Sequence, residues 1–218
     1  MKKIITAIVI ICVTFSVTMA KKKDLAGEVV QGVYVDSIYD FSLNVPEAWN
    51  YTVKKASSNV RVILSKKQYD IPIQFQEASN YTLVPKITVY VDSTSLAMDQ
   101  FLDSLLSNAY KSKQKNNILS ELKILNGNFQ LKKRAKMTMG ELSGFRVEGQ
   151  LRYTLEVQRS GSESDKGDIV ADFYGGSIFF VKNGNTIVMI HFISEWRYFD
   201  VLDQDFTRIL ETFKFLKK

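Results

Sequence analysis

His191 and Cys12 are the chain's single histidine and single cysteine, the side chains that most often serve as bases, nucleophiles and transition-metal ligands. One of each cannot build a Cys/His zinc site, a disulfide or a Cys–His nucleophile pair. His191 lies inside Val188-Met189-Ile190-His191-Phe192, a β-type run, and reads as a packed or hydrogen-bonded side chain before it reads as a base. No Gly-x-Ser-x-Gly elbow presents a serine nucleophile. Gly175-Gly176-Ser177 fits neither a phosphate-binding loop nor a dinucleotide fingerprint, and a bend in a strand accounts for it better. Asp200, Asp203 and Asp205 have the chemistry of calcium ligands, yet they stand where acids stabilise the start of a helix. The residues therefore imply no metal, no cofactor and no enzyme. An enzyme working with carboxylates alone stays open as an alternative, and it would need a buried Asp/Glu pair in a cleft.

The densest chemistry is basic. Lys132, Lys133, Arg134 and Lys136 fall within five residues, with Arg152 expected beside them across a hairpin. Such a patch can meet an acidic protein or an anionic membrane surface. It can equally be the solvated side of a strand whose lysines discourage edge-to-edge aggregation.

Positioning those residues falls to a chain dominated by alternation. From Tyr39, Phe41, Leu43 and Val45 point one way until Pro46 stops the strand. Arg61–Ser65, Ile71–Phe75 and Lys86–Asp92 are further short strands, the last with Ile87, Val89 and Val91 inward. Met98, Phe101, Leu102, Leu105, Leu106 and Ala109 repeat at helical spacing, with Ser95 as N-cap and Lys111, Lys113 and Lys115 after the last turn. Phe129–Met139 and Phe145–Val157 are long alternating strands joined by a Gly140–Gly144 loop. Centred on Leu142, that loop would set Lys136 opposite Glu148 and Arg134 opposite Gln150, with the odd-numbered residues of both strands sharing one apolar face. Arg159–Asp168 is a polar loop. Ile169–Phe173 and Ile178–Val181 follow, broken at Gly175-Gly176. Asn183-Gly184 then signals a hairpin into Thr186–Ile193, a strand apolar enough to be central. Phe199, Leu202, Phe206, Ile209, Leu210 and Phe213 mark a second helix, and Phe213-Lys214-Phe215 ends extended. Hairpin connections dictate an antiparallel sheet, so the fold class is α+β: a central antiparallel sheet flanked by two or more helices.

The first twenty residues carry an address. Lys2-Lys3, an apolar run from Ile4 to Val13, and Thr18 and Ala20 at the small-residue positions make residues 1–20 a signal peptide. The alternative is an N-terminal membrane anchor: residues 4–20 are near the shortest length that spans a bilayer, and Lys21-Lys22-Lys23 favour the cytoplasmic side. Residues 21–32 read as a flexible lead-in and 33–218 as a single domain. Without residues 1–20 the chain holds 27 basic and 23 acidic side chains, a net charge of +4. That is ordinary solubility and not a nucleic-acid footprint.

Phe41-Ser42-Leu43-Asn44-Val45-Pro46-Glu47-Ala48-Trp49, an alternating strand running into Pro-x-x-Trp, resembles the opening of PsbP-like domains. The end is similar too: a hydrophobic strand, an aromatic connection (Trp196, Tyr198, Phe199), a last helix, then Ile209-Leu210-Glu211-Thr212-Phe213-Lys214-Phe215. The resemblance covers roughly Tyr34 to Phe215 in element order. It implies an α/β/α sandwich in a family of photosystem II extrinsic subunits and exported bacterial proteins, mostly non-enzymatic, and it carries over no catalytic residue. The function expected is that of an exported accessory or binding protein, periplasmic or extracellular, acting through protein–protein or envelope-surface contacts. A small apolar-ligand or lipid carrier using Met137, Met139, Phe179, Phe180 and Met189 is the second reading, and it needs a cavity of several hundred Å³.

Overall fold

The structure, a computed structural model, describes residues 24–70, 85–106, 129–157 and 168–216. In chain order these hold β1 (Glu28–Val30), β2 (Val33–Asp36), β3 (Phe41–Asn44), β4 (Trp49–Val53), β5 (Val60–Lys66), β6 (Lys86–Ser93), α1 (Met98–Leu106), β7 (Phe129–Met139), β8 (Leu142–Val157), β9 (Asp168–Asn183), β10 (Thr186–Glu195), α2 (Trp196–Glu211) and β11 (Lys214–Phe215). All strand pairs are antiparallel and form two sheets, one of four strands ordered β1-β2-β3-β11 and one of seven ordered β4-β5-β6-β10-β9-β8-β7. The class is α+β, as the alternation and hairpins require, with the smaller sheet an addition the sequence did not announce. The strand expected at residues 71–75, Ala109, and the lysines at 111, 113 and 115 lie outside the described residues.

Both faces of the large sheet are covered, which explains why its central strands are apolar almost without interruption. Nine of the ten residues of β10 are buried. On one face Val89, Val188, Ile190 and Phe192 pack with Phe199, Phe206, Ile209 and Leu210 of α2 and with Tyr34, Phe41 and Leu43 of the small sheet. On the other, Tyr90, Ile178, Phe180 and Met189 pack with Phe101, Leu102 and Leu105 of α1. Successive strand residues thus enter different cores. Each buried Phe or Leu contributes about 1.5–3 kcal/mol through removal from water.

Several local readings are corrected. The lead-in is not loose throughout: Ala26 is fully buried, Glu28–Val30 is a strand, and Gln31 (φ 49°) and Gly32 (φ 76°) turn it into β2. A three-residue alternation is too short to read as a strand until a neighbour recruits it. Ser95 does not cap α1, because Phe101 N–H donates to Ala97 O at 2.9 Å and the helix begins after Ala97. Gly175-Gly176 does not interrupt a strand; β9 runs continuously from Asp168 to Asn183. A Cβ at Gly175 would lie 2.1 Å from Phe199 Cδ2, so the missing side chain makes room for that ring. Phe199 in turn stacks on Phe192 at 5.5 Å, and Phe192 stacks on Phe206 at 5.3 Å.

The two sheets are joined by a buried ion pair. Arg61 of β5 and Asp36 of β2 are 1% and 0% exposed, with Nε donating to Oδ2 at 2.7 Å. Arg61 also donates to the carbonyls of Ala56 (2.9 Å), Ser58 (2.7 Å) and Ala26 (3.2 Å). Asp36 accepts from the Tyr34 hydroxyl and from the backbone N–H groups of Ile38 and Tyr39, each at 3.0 Å. Burial first, then the Asp36 charge, pushes the Tyr34 hydroxyl far above its usual range. Every strong donor and acceptor of the pair is thereby satisfied, the condition under which buried charge is tolerated.

Candidate interaction site

The basic cluster lies on β7, the last strand of the seven-stranded sheet, and no described strand pairs with its outer side. Gly140 (φ 57°) lets the chain reverse over Gly140–Glu141 alone, so Met139 faces Leu142, Lys136 faces Phe145 and Arg134 faces Val147. The expected pairs, Lys136 with Glu148 and Arg134 with Gln150, are therefore corrected by three residues. Gly144 is the reason. A Cβ there would sit 2.4 Å from Phe180 O and 2.6 Å from Phe179 Cζ, so Gly144 is a strand residue that the β9 rings press against, not part of a loop. A shift by an odd number also separates the apolar sets: Met137 and Met139 join the α2-side core, whereas Phe145 and Val147 join the α1-side core. With both faces covered, neither set is exposed by the change.

A bulge between Leu131 and Lys133 splits the basic residues. Lys132 falls in the bulge, exposed, with Nζ 3.4 Å from Gln130 Oε1. Lys133 is exposed opposite Glu148. Arg134 is half-buried and turned toward α1, where it pairs with Asp103 and, at 3.3 Å, with Asp99. Lys136 is exposed, its ammonium 5.6 Å from the Phe145 ring centre. Arg152 lies in β8 and pairs with Phe173 of β9, one residue beyond the Leu151–Phe129 pair that begins the β7 ladder. The structure thus leaves Lys132, Lys133 and Lys136 on an exposed edge, commits Arg134 to holding α1, and sets Arg152 past the end of β7.

At its Met139 end β7 reaches an open groove of about 600 Å³. Met139, Leu142, Phe213, Phe215 and Leu216 form its apolar part and Glu141, Lys182 and Glu211 its charged part, and it runs between the β7–β8 turn, the β9–β10 turn and β11. Of the residues considered for carrying an apolar ligand, Met139 lines this groove, whereas Phe179, Phe180 and Met189 are core residues divided between the two faces of the sheet.

The other chemistry-bearing residues are engaged in the fold. His191 is 2% exposed in β10, and burial, followed by the charge of Lys86, holds its pKa down at about 3. Its imidazole is neutral at neutral pH. Arg146 Nη2 donates to both carboxylate oxygens of Asp203 at 2.5 Å, and burial raises the Asp203 pKa against the pull of that guanidinium. Arg146 also meets Glu148 at 3.0 Å, Ser177 Oγ at 2.9 Å and Thr207 Oγ1 at 3.1 Å, tying β8 and β9 to α2. Asp205 pairs with Lys66 at 2.7 Å. Asp203 and Asp205 hold α2 to the large sheet, and among the described residues no group of three or more His, Cys, Asp or Glu side chains could hold a metal ion. Sequence reasoning missed Arg61 and Arg146, whose acidic partners lie 25 and 57 residues away. Among the described residues no helix is long and apolar enough to cross a membrane.

No protein-family model matches the chain, and no curated protein matches it. Among solved structures it is similar to LpqN of Mycobacterium tuberculosis, described as involved in cell envelope biogenesis, at 14% identity over 81% of this chain and 83% of that one, with a TM-score of 0.49. PA94 of Pseudomonas aeruginosa, a protein of unknown function, shares 11% identity over 78% of this chain and 88% of its own, at a TM-score of 0.45. The cyanobacterial PsbP of Synechocystis sp. PCC 6803 is similar over 87% of this chain and 95% of its own length, at 14% identity and a TM-score of 0.45.

Proposed function

We propose that this chain is a non-catalytic accessory protein that works by docking, with the exposed lysines of β7 engaging an acidic surface outside the cytoplasm. The observation that carries this reading is the placement of Lys132, Lys133 and Lys136 together on an exposed strand at the end of the sheet, while neighbouring Arg134 is neutralised by α1. Exposed charges with no buried partner contribute little to the fold, so their clustering is available for steering a partner of opposite sign. The signal-like residues 1–20 support a setting beyond the cytoplasm. The test is a salt-dependent retention assay on an acidic matrix, comparing the full chain with its Lys132→Glu, Lys133→Glu, Lys136→Glu variant. Retention should fall at least tenfold in the variant and weaken with added salt in the parent chain. Equal retention of the two proteins would refute the docking role.

A further inference from the structure

We infer that the partner is an extended acidic peptide that adds as a further strand alongside β7 and seats an apolar residue in the neighbouring groove. The inference rests on the docking reading above and narrows it to one kind of partner.

Three observations converge. The outer side of β7 is unpaired among the described strands, and an 11-residue strand end presents a row of backbone donors and acceptors that a peptide can complete. Lysine is the residue that keeps such an edge from pairing indiscriminately, and the same charge admits a strand of opposite sign. Lys133 and Lys136 are three residues apart beyond the bulge, so they emerge on opposite faces of the sheet. An added strand would therefore meet a lysine on each of its own faces, which favours consecutive acids over alternating ones.

The groove supplies the second contact. Met139 belongs both to β7 and to the groove lining, and Lys136 precedes it by three residues, about 10 Å along a strand. A peptide that runs past the lysines thus reaches the groove within one strand length. Met139, Leu142, Phe213 and Phe215 offer it an apolar patch, flanked by Glu141 and Glu211, which favour an uncharged residue there over one of the acids, and about 600 Å³ accommodates one or two large side chains. Because all pairs in this sheet are antiparallel, the apolar residue should precede the acids in the peptide.

The test uses the full chain and three probes: a peptide with leucine followed by a run of glutamates, the same peptide N-methylated at alternate residues, and vesicles containing phosphatidylglycerol. Strand addition predicts that the first peptide binds and that alternate amides between Phe129 and Met139 gain hydrogen-exchange protection. It also predicts that N-methylation, or exchange of the leucine for alanine, weakens binding at least fivefold. Equal binding of the N-methylated peptide, unchanged protection along β7, or binding to vesicles alone overturns the inference. The charge-reversed variant, checked for native circular dichroism, separates the two levels. If it loses binding to acidic probes while β7 shows no protection, docking stands and strand addition falls. If it binds every probe as the parent does, both fall.

Discussion

His191 shows how much a single residue's surroundings decide. The sequence placed it among Val188, Met189, Ile190 and Phe192, and that apolar company was enough to read it as a packed side chain. What the run could not show was the size of the effect, which depends on how completely the folded chain buries the ring. The folded imidazole titrates at about 3, against an ordinary 6.5. Below the ordinary value the unfolded chain takes up a proton that the native state refuses. Stability should therefore fall as pH drops from 6.5 toward 3, with a slope approaching about 1.4 kcal/mol per pH unit from this group. Asp92 and Asp203, whose pKa values burial raises, act in the opposite sense: each binds a proton in the native state before it does so in the unfolded one. They offset part of the loss at the acid end. Urea unfolding from about pH 7 to about pH 4 reads the slope. The His191→Gln variant should be markedly flatter, and an identical slope would assign the acid sensitivity to other groups.

At the scale of elements, the β7–β8 hairpin marks where pattern reading stops working. Both strands and their alternation were legible, because a period of two sustained over many residues fits little besides an extended chain, although β8 begins three residues earlier than expected. Their register was not, because it hung on Gly144, which sequence alone reads as a loop residue. The contact that decides it, with Phe179 and Phe180, crosses to a strand some 35 residues later. Crosslinking can check the outcome. Thr138 and Ser143 are direct Cα partners and both exposed, so Thr138→Cys with Ser143→Cys should oxidise readily to an intramolecular disulfide. Lys136→Cys with Glu148→Cys, the pair of the sequence-derived register, should stay reduced, being offset by three residues or about 10 Å. Efficient closure of the second pair and not the first would reject the observed register.

Across the whole molecule, the α+β layering followed from the count of alternating runs and the two amphipathic stripes. The small sheet did not, since its strands are two to four residues long and gain stability only by packing on the larger one. Arg61 and Asp36 join these two bodies, and nothing in either local sequence tells of the other. Asp36→Ala should cost about 3–5 kcal/mol, because it strands a guanidinium inside the protein. Replacing both partners, Asp36→Leu with Arg61→Met, should cost less than that single change, for a pair of apolar groups leaves no charge uncompensated. Denaturant midpoints of the three proteins decide it; a double variant weaker than the single one would show that the ion pair contributes more than its own neutralisation. The lysine edge belongs to this scale as well, since only the order of the described strands reveals that β7 stands last among them.

β10, the middle strand, has a consequence for how the molecule comes into being. Of the described strands it is the second-last made, yet it is the one that joins β6 to β9. A chain made amino end first holds the residues of β4 to β6 and of β7 to β9 before the strand that joins them exists. Closure waits until Thr186 and everything after it have been delivered. So late a fastening leaves each half without its final neighbour until β10 is made.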